Sequence, residues 1–297
     1  MREISVIEKE SRYANLCKPC KDLQWVDGPR NFAEKGERTM RIQYASDLHL
    51  EFAENKSFIE HGGLEPVGDV LVLAGDVSYL GDRKMWKRPF WDWCTEQFRE
   101  TFVVPGNHEF YGGFDIGRTM VDYELEVRPN VRYLNNRRVV LGDTELFFST
   151  LWTKIDPTRL WTVQQGMNDY RYGKLNGKRF CANDVDELHQ QCLGWLLGAI
   201  DASTAPHKVV VTHHCPTLRQ EFNNYPGGAL NSAFQVNLDA LIEESDVDYW
   251  VYGHTHYAGG SGTKIGETTL LCNQLGYVFQ NEHLDFDGKR CFEVGAQ

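Results

Sequence analysis

The chain has 297 residues, a formal net charge of −11, 41% hydrophobic residues and 25% charged ones. That balance excludes wholesale disorder, and the length suffices to bury a core without disulfide staples. No apolar run approaches the ~18–20 residues of a spanning helix, and the acidic excess argues against a broad nucleic-acid-binding face.

Residues 1–39 mix both signs of charge with Pro19, Gly28, Pro29 and Gly36 and show no sustained periodicity. They read as an N-terminal extension, although Leu16, Leu23, Trp25 and Phe32 would equally serve to lay the segment over a domain surface. Cys17 and Cys20 have no second Cys or His pair at matching spacing, so the cysteines read as scattered reduced thiols. With no basic flank leading into an apolar stretch, a cytoplasmic protein is the expectation. Met40 opens the main domain, 40–297.

From there, short β-rich runs fall at 41–46, 70–74, 101–104, 131–134, 138–141, 145–149, 208–212, 249–252 and 264–272. Helical patterns are predicted near 86–99, 114–127, 182–200 and 235–244. The clearest helix is capped by Asn183 or Asp184 and carries Val185, Leu188, Cys192, Trp195, Leu196 and Ala199 on one face. Alternation of this kind predicts an α/β layered fold. Segment 153–181 is polar and long, which predicts a functional loop.

Six of the ten histidines cluster in four segments: His49, His108, His213 with His214, and His254 with His256. Each follows a β-like run, as does Gly75-Asp76, and α/β sheets build ligand sites just past the carboxyl ends of their strands. Asp47-x-His49 and His254-x-His256, if extended, present alternate side chains to one side. Oxygen and nitrogen donors without thiolate suit Mn²⁺, Fe or Zn²⁺. Seven candidate ligands exceed one ion's usual share, so two divalent metal ions sharing a carboxylate is the natural reading.

The set Asp47-x-His49, Gly75-Asp76, Gly106-Asn107-His108-Glu109, Thr212-His213-His214 and Gly253-His254-x-His256 resembles the calcineurin-like metallophosphoesterases over about residues 40–290. The resemblance implies a four-layer α-β-β-α sandwich of two mixed β-sheets. It also implies a hydrolase, phosphatase or phosphodiesterase, in which hydroxide between two ions attacks a phosphoester. Carried over, Asp47, His49 and His256 would hold one ion, Asn107, His213 and His254 the other, and Asp76 would bridge. His108 matches the catalytic histidine beside the leaving group; if its segment is extended, it points away from its neighbour Asn107. His214 would support the ligand beside it or touch substrate. Two divalent ions less two carboxylates and one hydroxide leave a local charge of about +1, an attractor for phosphate within an acidic protein.

One position departs from the family pattern: Tyr79 stands where many members carry the acid that orients the catalytic histidine, leaving Asp82 or Glu109 as substitutes. Arg171 and Tyr170 are candidates to clamp a phosphate and stack on a base or sugar, and Arg219, Asn223, Asn224 and Tyr225 could line the mouth. The leading reading is an enzyme acting on small phosphomonoesters or phosphodiesters. A nuclease of the same fold is disfavoured by charge, and a non-catalytic scaffold would not need a complete ligand set.

Every candidate ligand lies at or beyond Asp47. A chain beginning at Met40 is therefore expected to fold and to hydrolyse substrate much as the full chain does. Insolubility or lost metal in that shortened protein would make residues 1–39 an integral layer.

Overall fold

The computed structural model describes residues 39–82, 84–219, 228–257, 259 and 261–295, so the extension read at 1–39 lies outside the description apart from Thr39. Valine, isoleucine, phenylalanine and leucine dominate the central strands and pack well on pleated surfaces. They build two six-stranded sheets. The first runs β14 (Cys291–Val294), β1 (Met40–Ala45), β2 (Val70–Leu73), β3 (Glu100–Val103), β5 (Val131–Asn135) and β4 (Tyr123–Arg128). The second runs β12 (Thr263–Ile265), β13 (Thr268–Cys272), β11 (Tyr249–Tyr252), β10 (His207–Thr212), β7 (Thr144–Ser149) and β6 (Arg137–Leu141). In each sheet the four inner strands are parallel and the two edges antiparallel. Both sheets are therefore mixed.

Because side chains alternate along a strand, each sheet presents two apolar faces. Ile42, Val72 and Phe102 from the first sheet meet Leu146, Phe148, Val209 and Val251 from the second in a core between the layers. The outer face of the first sheet, with Leu71, Leu73 and Tyr133, is covered by Trp91 and Cys94 of a helix at Pro89–Gln97. The outer face of the second, with Phe147, Val210 and Trp250, is covered by Leu196, Ala199 and Ile200 of the helix at Val185–Asp201. The result is an α-β-β-α sandwich, as the family resemblance implied. Among the described residues no helix is long and apolar enough to cross a membrane.

Several elements differ from expectation. Residues 114–127 were read as helical, but only a 3-10 turn forms at Ile116–Thr119, and β4 follows. Tyr123, Leu125 and Val127 face the core while Glu124, between them, pairs with Arg132 and Arg137. The period is two, not 3.6. The run at 264–272 is a hairpin rather than one strand, turning at Gly266 with φ +58°. A short helix at Ala53–Phe58 and edge strand β14 carry weak local signals. Segment 153–181 holds helices at Leu160–Gly166 and Asp169–Tyr172 and a hairpin of β8 (Lys174–Leu175) with β9 (Lys178–Arg179), so it is built structure rather than a bare loop.

Phe102 and Phe148 meet across the two sheets with ring centroids 5.4 Å apart. Phe148→Ala is expected to lower unfolding free energy by about 3–5 kcal/mol, the usual range for an emptied aromatic site. Denaturant titration checks this, and a loss below ~1 kcal/mol would mean the layers repack freely.

Candidate metal centre

The parallel strands β1, β2, β3, β10 and β11 end at one rim of the sandwich. Their following residues supply Asp47 and His49, Asp76, Asn107 and His108, His213, and His254 and His256. The turns that carry them are conformationally costly. Asp47, His49, Asp76, His254 and His256 all have left-handed backbones, with φ between 46° and 73°. Such residues persist only where the surroundings hold them, and they concentrate at functional sites. Here the N–H groups of Asp47 and His49 donate to Gly75 and Asp76 carbonyls at 3.0 and 2.9 Å. The His254 N–H donates to the Asp47 carboxylate at 3.1 Å. Asp47 and His49 do converge, through these left-handed turns and not through an extended segment, whereas His254 and His256 go to two different groups of donors.

Space explains the glycines beside them. A Cβ on Gly106 would lie 2.1 Å from Asp76 Oδ1, and one on Gly75 would lie 2.3 Å from His213 Nδ1. Glu109, one position past His108, accepts from the backbone N–H groups of Asp76, Val77, Ser78 and Gly106 at 2.8–3.3 Å. It ties the Asp76 turn to the Asn107 turn, and burial lifts its pKa to about 7 against those bonds. Glu109 is thus a strut, not the partner of His108.

Two groups of donors face each other around Asp76. In one, His213 Nδ1 donates to the Ala74 carbonyl at 2.8 Å and His254 Nε2 to the Ala233 carbonyl at 3.2 Å. Burial pushes His213 down to about 4 and His254 well below its ordinary value, so both rings are neutral at pH 7. Their remaining nitrogens then carry bare lone pairs, and these lie 3.1 Å apart. Asn107 adds a third acceptor: its Oδ1 is 3.0 Å from His213 Nε2. Its amide is set by Nδ2 donating to Tyr111, whose hydroxyl donates to buried Asp169 at 2.9 Å. Three acceptors converge with no donor among them.

In the second group, His49 Nδ1 faces Glu51 Oε1 at 3.2 Å and His256 Nδ1 faces Glu282 Oε2 at 2.6 Å. The two Nε2 atoms point at each other, 3.0 Å apart, with Asp47 Oδ1 3.4 Å from that of His256. Burial opposes charge on His256, yet its bonds to Asp47 and Glu282 outweigh it and raise the pKa to about 9. A proton there does what a metal ion would do better. Asp76 sits between the groups, Oδ2 at 3.9 Å from His49 Nε2 and Oδ1 at 3.5 Å from His213 Nε2. Burial, then the charges of Glu109 and Asp47, push its pKa well up. Converged acceptors and crowded buried carboxylates fit divalent cations, and they fit little else. Asp47, His49 and His256 form one group able to hold an ion, and Asp76, His213 and His254 another.

His108 stands at the edge of the first of these groups, its Nδ1 3.0 Å from Glu51 Oε1 and its Nε2 3.2 Å from the Tyr277 hydroxyl. It opens a 3-10 turn and is not in an extended segment, so its ring and the Asn107 amide diverge by a helical turn's rotation. Glu51, Tyr277, Glu282 and the Tyr111–Asp169 pair escaped the sequence reading. Only Glu51, two residues past His49, carried a local signal. His214 is buried, donates Nδ1–H to the Thr150 carbonyl and packs its ring 4.4 Å from that of His254, which backs the ligand beside it. Tyr170 is 2% exposed against Phe180, so its ring is covered. Arg171 is exposed and reaches the Gln165 carbonyl at 3.4 Å, and Arg219 pairs with Asp239 at 2.6 Å. Asn223, Asn224 and Tyr225 lie outside the described residues.

A mixed two-sheet sandwich with Asp, Asn and His donors at one rim defines a class, and comparison with known proteins identifies it. The chain belongs to the calcineurin-like phosphoesterase family, which it matches over residues 40–258. It is 27% identical over 271 residues to an uncharacterized protein of Acanthamoeba polyphaga mimivirus, covering 83% of this chain and 95% of that one. It is 23% identical over 272 residues to a UPF0046 protein of Caenorhabditis elegans, covering 91% and 85% respectively. The fold is shared with phosphopantetheinyl hydrolase from Mycobacterium tuberculosis, with a TM-score of 0.64 at 18% identity over 87% of this chain and 96% of that one.

Since the Asp76 carboxylate faces both groups, Asp76→Asn is expected to lower metal content by more than one equivalent. Removing a shared anion leaves two cations facing each other with less compensation. Full metal content and full activity in that variant, measured by elemental analysis and turnover, would refute the shared role.

Proposed function

We propose that the chain hydrolyses small phosphomonoesters or phosphodiesters at a pair of divalent metal ions. The observation that carries this reading is the two sets of converged ligand atoms on either side of one buried carboxylate, one set free of protons and the other holding a proton on His256 where a cation would sit. Asp47, His49 and His256 would hold one ion, Asn107, His213 and His254 the other, and Asp76 both. Mn²⁺, Fe and Zn²⁺ suit such donors. When bound, the ions supply a nucleophile at neutral pH and positive charge against the phosphoryl oxygens.

The protein's own groups do the rest. Ala74, Ala233 and Glu282 hold the outer nitrogens of His213, His254 and His256, which fixes ring orientation and raises ligand basicity. His108 is the general acid: among the described residues its Nε2 hydrogen-bonds the Tyr277 hydroxyl, an exchangeable partner that a departing alkoxide can replace. Proton transfer from Nε2 leaves the imidazole neutral and the leaving group as an alcohol.

Acid catalysis matters in proportion to leaving-group basicity. His108→Gln is expected to keep its metal and lose ~10²–10⁴ in rate on an alkyl phosphoester, but far less on a nitrophenyl ester, whose anion departs unaided. A phosphopantetheinyl ester belongs among the alkyl substrates, since the mycobacterial protein of this fold is a phosphopantetheinyl hydrolase. Equal losses on both classes would reduce His108 to charge stabilisation, and lost metal would make its role structural.

A further inference from the structure

The family resemblance places an acid three residues beyond Asp76 to orient the catalytic histidine, and this chain has Tyr79 there. The Tyr79 ring lies 6.3 Å from that of His108, centroid to centroid. Neither substitute suggested by the sequence takes over: Glu109 is committed to four backbone N–H groups, and Asp82 accepts from the Lys84 N–H. The carboxylate that reaches His108 comes from another strand end. Glu51 is two residues beyond His49, on a segment pinned by Leu50 N–H to the Val77 carbonyl at 2.9 Å and Phe52 N–H to the His49 carbonyl at 3.0 Å. Its side chain is only 8% exposed. Oε1 takes both the His49 and the His108 bond, while Oε2, also buried, has no hydrogen-bond partner among the described residues.

Burying a carboxylate with one oxygen unpaired is costly, and the cost calls for a reason. A carboxylate only accepts, so each histidine that bonds Glu51 must present Nδ1–H to it. In a neutral ring that leaves Nε2 bare. The same atom therefore dictates the tautomer of two histidines whose rings sit 4.4 Å apart, edge to face. We propose that Glu51 is a positioning residue shared by the metal centre and the acid: it holds His49 with Nε2 open to an ion and His108 with Nε2 turned to Tyr277. This rests on the dinuclear reading above and adds to it the group that couples the two functions. Tyr277 completes the arrangement, since a bare His108 Nε2 accepts its hydroxyl proton and a protonated one donates to its oxygen.

The test is a double-mutant cycle in the full chain with Mn²⁺, comparing Glu51→Gln, His108→Gln and both together on an alkyl and a nitrophenyl phosphoester. The amide keeps the shape of the carboxylate but can turn a donor towards either ring. Glu51→Gln is expected to weaken Mn²⁺ binding ~10–100-fold, as loss of a ligand's supporting bond usually does. At saturating Mn²⁺ its kcat on the alkyl ester should still fall ~10²-fold or more, with much smaller loss on the nitrophenyl ester and little change in KM. The double variant should be no slower than His108→Gln on the alkyl ester. Losses that multiply, or an alkyl kcat above half of wild type in Glu51→Gln, would overturn the proposal. Should His108→Gln slow both substrates equally, the general-acid reading fails, while the cycle still decides whether Glu51 acts through His108. A readout that needs no variant is the ¹⁵N spectrum of the Zn²⁺-loaded protein. His49 is expected as the Nδ1–H tautomer and His108 with Nδ1 protonated in both its neutral and its imidazolium form, and a bare Nδ1 on either ring would refute the assignment.

Discussion

Two imidazole nitrogens aimed at each other repel unless a proton or a metal ion lies between them. This arrangement occurs twice at the rim of the sandwich, with nitrogens 3.0 and 3.1 Å apart, and everything around it enforces it. The outer nitrogens of His213 and His254 are tied to backbone carbonyls, and those of His49 and His256 to buried or half-buried carboxylates. Rotation of any one ring would relieve the repulsion but break a hydrogen bond in a place where water cannot replace it. The backbone adds its share, because five left-handed turns at ~1–3 kcal/mol each have no purpose in the sheets themselves. Strain and repulsion are thus stored where a pair of cations would release them.

The electrostatics work on two scales. The whole chain is acidic, at −11, which would repel a phosphoester at long range. At the rim the carboxylates are kept apart in function. Asp47 and Asp76 point into the donor groups, Glu51 and Glu282 stand behind histidines, and Glu109 is wrapped in backbone N–H groups. A pair of divalent ions would therefore meet two acids directly rather than five. The positive charge left over would then attract phosphate to the site inside an acidic protein.

The parts of this site that were legible in the sequence share one property: they sit at strand ends. A buried parallel strand is a short apolar run, and the polar residue that ends it stands out, so Asp47, Asp76, Asn107, His213 and His254 could be picked from pattern alone. The parts that were not legible are reached only through folding. Glu282 meets His256 across a turn from the far end of the chain, and Asp169 acts on Asn107 through Tyr111, 58 residues away in sequence. No local periodicity announces such a contact. The reading of 114–127 as helix failed for a related reason: the partners that make Glu124 a strand residue, Arg132 and Arg137, lie in later strands. Tyr170 and Arg171 were placed on the right helix but one and two residues past the group, Asp169, that faces the site.

The segment that follows the family match over residues 40–258 also reaches the site. Beyond that span, β13 carries Asn273 and Gln274 to the rim, Gln274 bridging to Ser46 and Asn273 bonding the Tyr44 and Asp287 carbonyls. The turn that follows delivers Tyr277 against His49, His256 and His108 together, with Gly276 at φ +64° making the room. Gly276 also donates its N–H to the Asp47 carbonyl at 3.1 Å. Strand β14 then closes on β1, so the same strand that presents Asp47 at one end is clamped along its length by the chain's own terminus. The position of His108 and the stability of the sandwich are thereby linked through one backbone path. A change in the C-terminal turn would be felt at His108 and His256 before it was felt in the core.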